Sequence, residues 1–343
     1  MQNLIFASKK IRLRSSDALW HRGATFLGSR YAIMGGAMTW VSERRLVAAI
    51  SNAGAFGVLA AGALNADELD QEIAATYDLT DQPFGVNLIT FSPHFDAQLD
   101  VCLSRQISHV IMGGGIPGAE HIKRAKRAGS KVMAFAASLG MGSRALRNGA
   151  DALIAEGREA GGHVGPLATS VLVQELLPLF NGTCVFIAGG IGRGEMIGHY
   201  LKLGAAGCQL GTRFVCAQES RVHPLTKKAY LGASGRDAIL SAQIDPQFRV
   251  TPVRALANKA SQAFLELQLT AMRRYRAGEL SKAAAQLEIE GFWSGRLRRA
   301  VLEGDVEYGS LMAGQSVEFL RSEESVGDIV GELTATAASA AVT

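Results

Sequence analysis

Eight short apolar runs, most closed by glycine or a polar residue, limit this chain more than any other feature. They are "YAIMGGAM" from Tyr31, "AFGVLAAG" from Ala55, "PFGVNLIT" from Pro83, "HVIMGGG" from His109, "KVMAFAA" from Lys131, "DALIAEG" from Asp151, "CVFIAGG" from Cys184 and "GCQLGTRF" from Gly207. Their apolar residues are continuous rather than alternating, the pattern of a strand covered on both faces. Helix-like segments fill the gaps. "SERRLVAAISNAG" puts Leu46, Val47 and Ile50 on one face with Ser42 as its cap, and "NADELDQEIAATYDL" opens on Asn65 with acids in its first turn. The runs start about 20 to 30 residues apart. Eight strand–helix units of that period predict an α/β fold, a (β/α)8 TIM barrel. A doubly wound sheet is the alternative, but eight regular units favour closure.

The strands are used up near Phe214. The stretch Val253 to Trp293 has helical periodicity and almost no strand signal, so a C-terminal helical appendage is expected. The expected division is a barrel core over 1–235 and a helical cap near the barrel mouth over 236–320. The end of that cap packs back on the barrel, and 321–343 is a partly flexible tail. Phe264, Leu267 and Leu269 of the cap need a surface to bury.

With 343 residues, about half of them apolar, the chain can bury a large core. A net charge of +4 without a block of like charge argues against a nucleic-acid partner; the basic spots Lys9–Arg14 and Gly295–Ala300 read as solvated surface. No apolar run reaches the ~18 residues of a membrane span, and no signal peptide is seen at the N-terminus. Cys102, Cys184, Cys208 and Cys216 lack C-x-x-C spacing, and no metal site is expected. A reducing, cytoplasmic setting follows, and a homodimer is compatible with it.

In a barrel of this kind the active face lies at the C-terminal ends of the strands, and glycine gathers there. Gly35 and Gly36 follow the first run, Gly161 and Gly162 the sixth, Gly189 and Gly190 the seventh, and Gly211 and Thr212 the eighth. Loops after strands seven and eight commonly hold phosphate through backbone N–H groups and a helix N-terminus. The plainer reading is tight turns that require a positive φ. Asn87 sits mid-run in "GVNL", where a buried amide bonds either a planar heterocycle in the mouth or a core backbone network. A phosphate, an amide and bare backbone together fit flavin mononucleotide (FMN). His163, in "EGREAGGHVG", is either a structural histidine or a proton-transfer group above the ligand.

"MGGAMTWVSERRLVAAISNAGAFGVLAAG", "PFGVNL", "DALIAEGREAGGHVG", "FIAGGIGRGE", "GAAGCQLGTRFVCAQES" and "EGDVEYGSLMAGQS" resemble the nitronate monooxygenase (2-nitropropane dioxygenase) family. They equally resemble its relative, the FMN-dependent enoyl-acyl-carrier-protein reductase II. The resemblance implies FMN held by Asn87, Gly161, Gly190, Gln209, Leu210, Gly211 and Thr212, with Glu156 beside it and His163 over its reactive face. Glu156 stands where nitronate monooxygenases typically show Gln, and "GGHVG" replaces "GGHRG"; with "SPHFD" and "LSAQ", these lean toward the reductase branch. The leading expectation is oxidation of alkyl nitronates with O2, without a nicotinamide. The alternative is reduction of a trans-2-enoyl thioester with NAD(P)H, and a third reading is a flavin-binding protein without catalysis.

Overall fold

The computed structural model describes residues 15–245, 247–248, 252–293 and 295–342; the basic stretch Lys9–Arg14 lies outside them. Its strands are β1 (Ile33–Gly35), β2 (Gly57–Ala60), β3 (Phe84–Ile89), β4 (His109–Gly113), β5 (Lys131–Ala136), β6 (Ala152–Glu156), β7 (Gly162–His163), β8 (Cys184–Ala188), β9 (Gly207–Leu210), β10 (Ala238–Leu240) and β11 (Val253–Leu256). Eight of them form one parallel sheet in the order β1-β9-β8-β6-β5-β4-β3-β2. A parallel bridge between Met34 and Phe56 joins its two ends, so the sheet closes into the expected (β/α)8 barrel, and each of the eight apolar runs supplies one strand.

Register fixes which side chains face the interior, because paired residues in neighbouring strands share a face. Asn87, Ile111, Met133, Ala152 and Cys184 form one inward row. Nearer the C-terminal mouth, Glu156, Ala188, Gln209 and Met34 form another. The alternate residues turn outward: Val86 and Leu88 pack with Leu69, Ile73, Phe95 and Leu99 of the surrounding helices. The opposite end of the barrel is stoppered by the helix Ser15–Leu27. The Phe26 carbonyl accepts from Lys131 and meets His109 Nε2 at 2.9 Å, and the Phe26 ring lies against Phe186.

Local rules explain most helix starts. Asn65 and Glu68 make a reciprocal capping box, as expected from the acids there. Ser42 does not cap the helix Arg44–Asn52; Glu43 does, accepting from the Arg45 N–H. Ser42 instead accepts from the Met38 N–H at 3.0 Å and donates to the Gly36 carbonyl at 2.6 Å, cross-bracing the loop after β1.

Two expectations fail beyond the barrel. Val253–Leu256 is a strand, not the start of a helix: β11 pairs antiparallel with β10 on one side and β7 on the other. The helices Lys259–Arg276 and Lys282–Gly291 follow it, the first capped by Asn258. Of the three apolar residues singled out, Phe264 is buried whereas Leu269 is 42% exposed. Leu311, Ala313, Val317 and Leu320 return to the barrel's own core.

The second failure is the tail. Val326–Val342 is a helix whose Val326, Ile329, Val330, Leu333 and Ala337 are buried. Its backbone presses on Gly194 and Gly198 of the helix Gly194–Lys202, at the Leu333 and Ala337 carbonyls. Small residues, four apart in "GEMIG", let the two backbones touch. The sequence "ELTATAASAAVT" looks featureless because small side chains are what such close contact needs. Buried Arg213 ties the junction, pairing with Glu324 and Glu332, each at 2.8 Å. Leu333→Ala is therefore expected to destabilise the whole protein by about 2–5 kcal/mol, as other buried leucine truncations do; urea unfolding measures it, and a change near zero would mean the helix is dispensable.

Candidate active site

The mouth of the barrel is polar in a way its walls are not. Glu156 ends β6 on the inward face, and its carboxylate has no hydrogen-bond partner among the described residues; burial pushes its pKa up to about 8. Gln209 shares that row, is 8% exposed, and its amide is also without a partner. Asn87, on the inward row that runs through Ala152, reaches only the Ile111 carbonyl, at 3.5 Å. Buried polar atoms left open in this way need a ligand or water to satisfy them.

The loop after β6 carries the histidine and is held from four sides. The Glu159 carboxylate accepts from the Thr169 N–H at 2.7 Å and from its hydroxyl at 2.8 Å, seating the first turn of the helix Thr169–Leu179. The Gln315 N–H donates to the Glu159 carbonyl at 3.0 Å. At Gly161 there is no room for a side chain: a Cβ would lie 2.6 Å from the Gly314 nitrogen and 2.7 Å from the Ala313 carbonyl carbon. Gly162 has φ +77° and lies beside Met312, and it pairs with Arg254 of β11. Arg254 is 6% exposed and donates through Nε to the Arg158 carbonyl at 3.0 Å.

His163 then stands opposite Val253. Its ring is open to solvent yet ringed by protein, and that surrounding lowers its pKa. A neutral imidazole at neutral pH can accept a proton or donate its N–H.

The remaining glycines divide by cause. Gly189 and Gly190 have φ +97° and +74°, so the plain turn requirement holds for both. They border a cavity of about 460 Å³ that Glu159, Thr169, Tyr200, Gln315, Ser316 and Glu318 help to line. Its two acids are already engaged, Glu159 by Thr169 and Glu318 by the Gly235 N–H at 2.7 Å. Gly36 and Gly211 touch; a Cβ on Gly36 would sit 3.1 Å from the Gly211 Cα. The Thr212 hydroxyl accepts from the Gly314 N–H at 2.9 Å and keeps its own proton to donate. Gly35 is turned away from the mouth, toward Ile50. Leu210 is buried and can offer a ligand only its backbone, whose carbonyl already accepts from the Gly36 N–H.

The structure thus brings together Asn87, Glu156, Gly161, Gly162, His163, Gln209, Gly211 and Thr212, and leaves Gly35 outside. Reading the sequence missed Glu159, Arg254 and the Met312–Gly314 segment. Only "SLMAGQS" carried a signal, as part of the family resemblance; the Arg254 and Glu159 side chains mainly hold distant backbone groups and follow no sequence pattern. Among the described residues no cluster of His, Cys, Asp or Glu could hold a metal ion, and no helix is long and apolar enough to cross a membrane.

The family model for nitronate monooxygenase matches residues 22–95 and 89–336, and the chain belongs to that family. It is 35% identical over 219 residues to a (3aS,4S,5R,7aS)-5-hydroxy-7a-methyl-1-oxo-octahydro-1H-indene-4-carboxyl-CoA dehydrogenase of Rhodococcus jostii, covering 64% of this chain and 62% of that protein. A nitronate monooxygenase of Paraburkholderia phytofirmans is 29% identical over 342 residues, covering 86% of this chain and 89% of its own length. Among solved structures, FabK from Thermotoga maritima superposes with a TM-score of 0.82 at 34% identity, covering 92% of this chain and 95% of that one.

Glu156 makes a pH signature. Its carboxyl rises from an ordinary 4.5 to about 8 on folding, so between those values the folded state holds a proton the unfolded state has lost. Stability then falls as pH climbs through that window and levels off above it. In ligand-free protein, Glu156→Gln is expected to flatten this fall. Urea midpoints at pH 5 and pH 8 decide: an unchanged difference between wild type and variant would place the titration elsewhere.

Proposed function

We propose that this chain is an FMN-dependent oxidoreductase that oxidises alkyl nitronates with O2. The observation that carries the cofactor is the set of inward polar groups at the mouth of a family-typical barrel, Glu156 and Gln209 without partners and Asn87 with only a 3.5 Å bond to the Ile111 carbonyl. A flat heterocycle rich in N–H and C=O groups fits that donor set. Glu156 stays protonated at neutral pH and can donate to a ring acceptor, and Asn87 and Gln209 each offer both a donor and an acceptor. Gly190, Gly211 and Thr212 would hold the phosphate, with backbone N–H groups and the Thr212 hydroxyl as donors. Bound there, FMN would supply the electron transfer that no side chain of this site provides. His163 would move the proton or pair with the anionic substrate, and Gly161 and Gly162 would let the ring lie against backbone.

A second reading has its own support. Glu156 in place of Gln, the "GGHVG" spelling, the likeness to FabK and the CoA-thioester dehydrogenase relative favour reduction of an enoyl thioester with NAD(P)H. His163 would then orient or protonate the thioester. Four unpaired cysteines support a reducing, cytoplasmic setting; burial pushes the Cys102 and Cys216 thiols up to about 12, which makes them inert.

Purified protein is expected to be yellow and to release FMN on heating; protein that stays colourless after reconstitution sinks both readings. Anaerobic bleaching by propyl-2-nitronate supports the first, bleaching by NADH or NADPH the second. His163→Ala is expected to keep the flavin spectrum and lose about 10²–10⁴-fold in turnover, the usual range for a proton-transfer group. Full activity in that variant removes His163 from the mechanism.

A further inference from the structure

We propose that the cleft between the small β10–β11–β7 sheet and the helix Lys259–Arg276 binds the apolar tail of the substrate, so that this enzyme selects molecules carrying a medium-length alkyl or acyl chain. The inference rests on the functional reading above for its head group, and on separate geometry for its tail.

Register provides that geometry. His163 and Val253 are directly opposed in an antiparallel pair, so both side chains rise from the same face of the small sheet. Ala255 follows Val253 by two residues on that face, and Ile239 is paired with Ala255. Val253, Ala255 and Ile239 all line a cavity of about 410 Å³, which the helix closes with Ser261, Phe264 and Leu265. That volume lies within the about 300–1,000 Å³ typical of small-molecule sites. A molecule with its reacting head beside His163 therefore finds an apolar floor continuing along the same face.

The opposite face has a different task. Arg254 and Leu256 point there, and Arg254 binds the Arg158 and Ala238 carbonyls. Two features mark the cleft as unfinished rather than as core. Its rim leaves Ile239 40% and Leu265 41% exposed, and Ala242, Ala255 and Ala257 keep it from filling. Trp293 also lines it, and its indole Nε1 is buried without an acceptor. A chain bearing a carbonyl or hydroxyl at depth would satisfy that donor.

The test is a chain-length series, run as primary alkyl nitronates from three to ten carbons and as trans-2-enoyl thioesters with NAD(P)H. In whichever series turns over, kcat/KM is expected to rise about fourfold per methylene, the equivalent of about 0.8 kcal/mol for each CH2 buried. Ile239→Asp, a rim change that a fold tolerates, is expected to cut that increment below about 1.5-fold, with folding checked by circular dichroism. Ala255→Phe, which fills the floor, should do the same. A binding readout runs alongside: decanoate should change tryptophan fluorescence in wild type, and this change should be lost in Trp293→Phe. Decanoate binding with no turnover of either series keeps the tail pocket and overturns the proposed head-group chemistry. Turnover without a chain-length increment, or an increment that survives both substitutions, overturns the pocket. If Ile239→Asp instead turns a dimer into a monomer and leaves the increment intact, the cleft is a surface between copies and the proposal fails.

Discussion

Backbone touching backbone at Gly161 is the contact on which the site depends. Its Cα faces the peptide linking Ala313 to Gly314 at a distance that excludes any Cβ, and Gly314 in turn donates to Thr212 at the end of β9. One small junction therefore joins three parts of the chain: the loop after β6, the loop after β9 and a returning segment about a hundred residues later. Close approach of this kind is rigid, since neither side has a rotamer to adjust. The Glu159–Thr169 bonds and the β7–β11 pairing add two more fixed points. His163 sits on a short strand with little freedom of its own, and the barrel mouth is precise because its loop is clamped, not because it is buried.

The site also separates its titrating groups by position. Glu156 lies inside the mouth, where burial favours the neutral acid, and His163 lies above it, where burial favours the neutral base. Both shifts favour the neutral form, Glu156 through full burial and His163 through the protein that rings its open side chain. The inward face of the mouth thus offers hydrogen-bond donors, with a neutral acid where an ionised carboxylate would otherwise stand. The nearby Glu159 and Glu318 side chains are engaged by N–H donors.

The barrel was legible because buried parallel strands leave unbroken apolar runs, and all eight runs became strands in chain order. The strand-end glycines were legible as a group but not by cause. Gly189 and Gly190 answer to φ, Gly161 to a distant backbone, Gly35 to the side chain of Ile50, and Gly194 to a later helix. A sequence shows the glycine and hides what presses on it. The small sheet was invisible for a related reason: β7 has two residues, and Val253–Leu256 is four residues long with an arginine inside it, too short to signal a strand before it meets its partners. The final helix was misjudged because small residues look like a frayed end in isolation and like a tight interface once Gly194 and Gly198 lie beneath them.

That last interface has a consequence for biosynthesis. Thr212 and the Gly314 that completes its contact are 102 positions apart, and the helix Val326–Val342 that braces the Gly190 side of the mouth comes later still. A chain growing from its N-terminus can close the eight-stranded barrel well before either piece emerges. Until they do, the mouth lacks one of its walls. Completion of the mouth therefore trails closure of the barrel by about a hundred residues of synthesis, and before Gly314 emerges the loop after β6 lacks the backbone that seats it.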